Sequence, residues 1–413
     1  MNRSLPLKKR VIADYALGIL VQLSCTPIRI YRFLWQYTLV LAIGWLALRL
    51  ITKKYQPSKI IYVFLSFFGV NIFFTLLNDM TVSSYTDSVL TLYLRVFLYI
   101  VWIDYSIRKD KETFLDVHYY ITGGLYIWQL FYQIFNQARF GVASSGNYQN
   151  LILSDNFLGY IFVPYMLLVC VRAYHRKGHL SISTFLMLSI CCFSIIKSQA
   201  GAGMVGVIFF MVALVYFELL EKWSKKKKNK KASVWKYYLV YFIFIVSIVG
   251  FNMQYLASDF LINILHKDIS FTGRTAIWAV ALETLKSNPF WGYGTMPDGR
   301  TLAVNIALTS GRYHSAHNYF LELLLETGVC GLAVYIYMLS IVARRIFLAK
   351  DRYLTNIFGT GILAMFLMYI SEGIVTQTPQ YLIFILAFYC AEWKATEKPF
   401  LKVESSVENA KSL

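Results

Sequence analysis

The chain has 413 residues, of which 57% are apolar and only 15% charged, with a formal net charge of +18. So few charges could not cover the surface of a soluble domain of this size. The alternating strands of an outer-membrane barrel are absent from the sequence, and the six cysteines follow neither a disulfide framework nor a zinc spacing.

Apolar runs near the ~20 residues that a spanning helix needs recur from end to end. They predict an all-α, polytopic membrane protein with twelve spans. The spans lie near 11–28, 33–51, 60–78, 88–106, 117–135, 152–171, 179–196, 201–220, 235–252, 327–343, 354–371 and 377–393. Residues 1–252 then carry spans one to nine, 253–326 form one large external loop, 327–393 carry spans ten to twelve, and 394–413 form a tail. No small-residue cleavage site follows the first run, so it reads as a retained helix. The even number of spans puts both termini on one side. The termini and the loops after spans 2, 4, 6, 8 and 10 hold 30 of the 40 lysines and arginines, against nine on the other face. That bias places both termini in the cytoplasm and the protein in a bacterial inner or plasma membrane. The lysine run Lys222–Lys231 reads as a topology anchor that also touches anionic lipid. The positive charge therefore marks a membrane face, and no nucleic-acid partner is expected.

One basic residue, Arg95, falls inside the fourth span. A charge there is costly and points into the bundle or a watery cavity. Asp155 is a candidate partner for it, and reads equally well as a cap of span six.

The loop 253–326 is long enough to suggest function, and it contains helical patterning. "DFLINILHKDI" puts Phe260, Leu261, Ile264 and Leu265 on one side, and "GRTAIWAVALETLKS" lines up Ile277, Val280, Ala281 and Leu285. Both read as amphipathic helices at the membrane surface, the second ended by Pro289, Gly292 and Gly294. Arg274 and Trp278 are four apart and share a helix face. The planar, permanently charged fork of an arginine suits phosphate, and the same pair also reads as a snorkelling arginine beside an interfacial tryptophan. Further on, "HSAHNYFLELLLETG" holds His314 and His317 three apart, then Asn318, Glu322 and Glu326, with Gly328 as a helix stop. Histidine takes or gives a proton near neutrality. The spacing H-x-x-H can chelate, but no third ligand stands at a convincing distance, so no metal is expected. Arg300 and Arg312 are further external cations.

The order "GRTAIW … NPFWGYG … HSAHNYFLELLLETGVCG" resembles the O-antigen ligase/polymerase superfamily. The matching positions are Arg274 and Trp278; Pro289, Gly292 and Gly294; then His317, Asn318, Leu321, Glu326 and Gly328. The resemblance implies transfer of glycan from undecaprenyl pyrophosphate to an acceptor, with no cofactor. It implies catalytic roles for His317, as the base toward a sugar hydroxyl, and for Arg274, against the pyrophosphate, with His314 as the alternative to His317. It also implies substrate binding by Arg95, Lys197, Arg300, Arg312, Asn318 and Trp278. Where many relatives carry an arginine before the eighth span, this chain has Gln199, and Lys197 is the nearest cation. The reading is a polysaccharide polymerase of the Wzy type, acting on a lipid-linked oligosaccharide in contact with membrane lipid, with room for a chain-length-regulating protein. A ligase is the near alternative. A transporter is the distant one, disfavoured because no internal repeat is evident.

Overall fold

The computed structural model describes residues 35–52, 55–78, 83–135, 158–198, 200–223, 238–239, 241–243, 246–247, 274–295, 315–349, 351–370, 373 and 378–393. Within these the chain is helical, with no strand element. The helices in chain order are α1 (Trp35–Ile51), α2 (Lys59–Leu77), α3 (Ser83–Val117), α4 (Gly123–Phe135), α5 (Leu158–Lys177) and α6 (Ile182–Ser198). They continue with α7 (Gly201–Trp223), α8 (Arg274–Ser287), α9 (Tyr319–Ala349), α10 (Arg352–Tyr369) and α11 (Tyr381–Phe388). A short π-helical stretch, His118–Thr122, joins α3 to α4.

Among the described residues, four helices are long and apolar enough to cross a membrane: α2, α5, Gly201–Glu218 within α7, and α9. Val40–Ile51 and α6 are shorter apolar helices. The expected span near 11–28 and the surface helix around Phe260–Leu265 lie outside the described residues. The span near 235–252 is described only in part.

Burial explains the layering. The apolar window of α5 is 89% buried, whereas that of α7 is 28% buried. Helix α5 packs against α6, α7, α10 and α11 and forms the centre. Helix α7 turns Val205, Ile208, Val212 and Val215 outward. Such an apolar outer face is stable only in hydrocarbon, so burial and hydropathy together describe a membrane bundle.

Two long helices are broken within their length. In α3 the break is at Asp110 (φ −160°, ψ 90°). Its carboxylate accepts from the Thr113 backbone N–H at 3.1 Å and from the Thr113 hydroxyl at 2.6 Å, which caps the segment that follows. In α9 the break is at Gly328 (φ 61°, ψ −161°). It ends the turns that start at Tyr319 and begins a membrane-length segment, as the glycine's position in the sequence led us to expect.

Candidate active site

Helix α8 buries Ile277, Trp278 and Ala281, the positions one and four residues apart that make one face. The expected helix is therefore present. Trp278, however, is only 1% exposed. Its indole N–H donates to the Ala316 carbonyl at 3.0 Å. The sequence reading placed Trp278 among the substrate contacts at an interface. The structure instead makes it an anchor that pins α8 to the residue before His317.

The turn Ser315–Asn318 is fixed from several sides. Glu322, fully buried, accepts from the Ala316 N–H at 2.7 Å and from the Ser315 hydroxyl at 3.1 Å. The Ser315 hydroxyl in turn accepts from the His317 N–H at 3.1 Å. Asn318 caps α9: its Oδ1 accepts from the Leu321 N–H at 3.0 Å. Its Nδ2 donates to the Ile370 carbonyl at 3.1 Å. Both ends of this amide are thus engaged in holding the turn, so of the two roles its position suggested, orienting substrate or capping, the bonds describe the cap.

Held this way, His317 adopts φ 49°, the one positive-φ non-glycine residue among the described residues. That conformation is disfavoured for a histidine and survives only where the surroundings over-determine it. Strain of this kind gathers at sites that must present one side chain in one place. His317 itself is half-buried.

The segment after α8 explains the proline–glycine spacing. It crosses the break in α9 and is bonded to both sides of it. The Tyr293 and Gly294 N–H groups donate to the Leu325 and Glu326 carbonyls at 2.7 and 2.9 Å. From the other side, the Val329 and Cys330 N–H groups donate to the Pro289 and Phe290 carbonyls at 2.9 and 3.4 Å. The two backbones lie so close that a Cβ on Gly292 would sit 2.5 Å from the Glu326 carbonyl carbon and the Thr327 nitrogen. Both Gly292 and Gly328 also take positive φ, which glycine tolerates best. This strap ends at Thr295, whose N–H donates to the Thr75 hydroxyl at 3.0 Å. Its own hydroxyl lies 3.0 Å from the Tyr93 phenol oxygen. Phe290 and Trp291 project from it at 60% and 51% exposure, and Trp291 meets Phe74 with centroids 5.4 Å apart.

The remaining expected residues fall as follows. Arg274, half-buried, opens α8 one turn before Trp278, about 6 Å along the axis, and so lies at the end of the helix that is tied to the His317 turn. Lys197 is exposed in the last turn of α6. The adjoining start of α7 is at the same end of the bundle: Gly203 meets Gly159, Gly159 meets Met368, and Met368 lies two residues from Ile370, the acceptor of Asn318. Arg95 is buried in α3, two residues from Tyr93, which reaches the strap. His314, Arg300 and Arg312 lie outside the described residues. Sequence reasoning missed Ser315, Tyr93, Thr75 and Thr295. Each is an ordinary residue of a helix or loop until the fold brings it together with the others. Glu322 was visible only as half of a four-residue pair.

Trp278→Phe should keep an aromatic ring but lose the indole N–H and the rest of the bicycle, leaving the Ala316 carbonyl without this donor and a small cavity beside α8. The expected cost is about 2 kcal/mol or more of stability, together with lower turnover. Thermal melts and initial rates on the purified protein measure both.

Residues 185–336 match the family model Wzy_C, described as O-Antigen ligase. The matched stretch runs from α6 into α9 and takes in Lys197, Arg274, the strap and His317. No curated protein matches the chain.

Proposed function

From the O-antigen ligase family region that this chain carries at residues 185–336, we propose that it polymerises polysaccharide by moving glycan from undecaprenyl pyrophosphate to the next lipid-linked repeat. In this reading an acceptor hydroxyl attacks the anomeric carbon attached to pyrophosphate. The new C–O bond forms as the bond to the pyrophosphate oxygen breaks. His317 takes the hydroxyl proton, and undecaprenyl pyrophosphate leaves with the bonding pair. A single displacement inverts the anomeric centre. Arg274 holds the negative charge that grows on the departing pyrophosphate, where a fixed cation lowers the barrier most. Lys197 and Arg95 add positive charge at the same end of the bundle, and His314, Arg300 and Arg312 are the further candidates of the loop.

The observation that carries this reading is the Trp278 bond to Ala316. It ties the helix that begins with Arg274 to the turn that presents His317. A cation for the leaving group and a base for the nucleophile are thereby parts of one assembly. The family description, O-Antigen ligase, favours a second reading in which the acceptor is lipid A-core or another glycan carrier. The chemistry is the same and only the acceptor differs.

The test is reconstitution. Purified protein in nanodiscs is supplied with lipid-linked repeat units, with no nucleotide sugar and no added metal. A ladder of lengthening glycans supports polymerisation. Product only when lipid A-core is added supports the ligase. No transfer with either acceptor overturns both. Arg274→Lys keeps the charge but loses the planar fork. We expect its turnover to fall by about tenfold or more, with the protein still folded. Wild-type rates in Arg274→Lys would remove the bidentate role.

A further inference from the structure

Helix α2 connects two different ends of the molecule. Its last turns meet the strap, through Thr75 bonded to Thr295 and Asn78 bonded to the Gly292 carbonyl. Its first residue, Lys59, lies 19 residues away, roughly 28 Å along the axis. A cavity of about 400 Å³ opens there, lined by Ser58, Lys59, Arg108, Arg345, Leu348 and Glu392 among others. The reaction proposed above has no use for it.

The cavity is a built feature. Asp104, fully buried, accepts from the Tyr55 hydroxyl at 2.7 Å, from the Ser58 backbone and hydroxyl, and from the Tyr389 hydroxyl. One carboxylate thus knots the entry to α2, the body of α3 and the exit from α11, and two of its donors, Ser58 and Tyr389, form walls. Three cations line the space against one carboxylate, Glu392. Arg108 donates to the Gln56 carbonyl. The Arg345 guanidinium lies 4.5 Å from the centroid of the Phe388 ring. Lys59 is exposed at the rim. Among the described residues no ion pair joins any of the three to a carboxylate. Lys111 lies alongside and donates to the Glu392 carbonyl at 3.0 Å.

Next to the cations the surface turns apolar. Leu348, one turn beyond Arg345, is 53% exposed, and Phe347 is also exposed. A ligand that fits both halves carries an anionic group joined to a hydrocarbon tail. A free phosphate would satisfy the cations alone.

We propose that this cleft binds the phosphodiester headgroup of an anionic membrane phospholipid, with an acyl chain lying along Leu348. Lys59, Arg108 and Arg345 face the phosphate, and the Asp104 knot keeps the three segments in register. Because the cleft is a helix length away from the strap, such a lipid holds the basic end of the bundle without entering the reaction.

The test uses the full-length protein in mild detergent and native mass spectrometry, titrated with phosphatidylglycerol, phosphatidylcholine or inorganic phosphate. We expect one phosphatidylglycerol to be retained and the other two to leave no bound species. Lys59→Gln makes the least disruptive change, because its side chain takes no part in the knot. Its expected effect is about a fivefold loss of phosphatidylglycerol affinity, the usual weight of one cation near an anionic headgroup. Arg345→Gln should weaken binding by a similar factor, and Arg345→Lys should restore it. A Lys225→Gln, Lys226→Gln, Lys227→Gln, Lys228→Gln variant should bind as wild type does. Three results would overturn the proposal: equal retention of phosphatidylcholine, a bound inorganic phosphate in place of lipid, or phosphatidylglycerol affinity that depends on the lysine run and not on Lys59 and Arg345.

Discussion

Replacing His317 with asparagine should stop glycan transfer and leave the fold intact. Asparagine accepts the left-handed conformation seen at this position, φ 49°, better than other residues with a Cβ. The backbone bond from residue 317 to Ser315 does not use the side chain. The substitution therefore removes the imidazole and keeps the backbone of the turn. If that imidazole takes the acceptor's proton, turnover should fall by about 10² to 10⁴-fold, with melting temperature and membrane insertion unchanged. Alanine is the harsher control. It cannot relieve the left-handed geometry, which costs roughly 1–2 kcal/mol in such a residue, so its defect mixes chemistry with stability. A wild-type ladder of products from a well-folded His317→Asn protein would falsify the catalytic assignment.

Gly328→Ala should be strongly destabilising, although it adds a single methyl group. Its backbone, φ 61° and ψ −161°, lies in a region open essentially to glycine alone. The added Cβ would also sit 2.3 Å from the carbonyl carbon and oxygen of Phe290. Relieving that overlap means breaking the bonds that join Pro289 and Phe290 to Val329 and Cys330. Strain and overpacking together should cost about 3 kcal/mol or more. The expected phenotype is a lowered melting temperature and loss of transfer together. Val329→Ala, one residue on and exposed, should be close to neutral. Equal stability of the two variants would mean that the strap does not need the break.

These cases show what was legible in the sequence. Hydropathy located part of the helical frame, since ~20 apolar residues in a row have few other uses: of the twelve expected spans, four correspond to helices long and apolar enough to cross a membrane among the described residues, and the span expected near 152–171 lies six residues further on, at α5. The span expected near 60–78 is α2, displaced by one residue at each end, and that near 201–220 is α7, which starts where expected and runs three residues longer. The stop at Gly328 was also readable, because a glycine after a polar, capped turn marks a helix end. The amphipathic helix at Arg274 followed from its periodicity. Hydrogen-bond direction was not readable. Trp278 has the composition of an interfacial residue, and only the fold shows its N–H turned inward to Ala316. Asn318 could be read as orienting substrate or as a cap, and only the bonds at both ends of its amide select the cap. The pairing of the two glycine motifs was the deepest omission. Pro289, Gly292 and Gly294 appeared as a helix terminator and Gly328 as another. Gly292 and Gly328 are there because two backbones touch, and Gly294 because the same strap passes against Thr75 of α2, and no one-dimensional pattern contains those contacts. Asp104 was hidden for the same reason, since its donors come from positions as distant as Tyr55 and Tyr389.

The exposed rings of Phe290 and Trp291 bear on depth. Aromatic side chains at the edge of a bilayer settle among the headgroups, where a ring can be half solvated. Both stand on the segment that clasps the break in α9, within a few residues of the carbonyls it binds. Whatever level those rings seek, the histidine turn must follow, because the hydrogen bonds across the break allow no independent vertical travel. A diphosphate linked to a polyisoprenoid floats at that same level. On the proposed reading, bilayer thickness becomes a variable of the reaction: a membrane that drew the rings inward would carry the imidazole of His317 down with them.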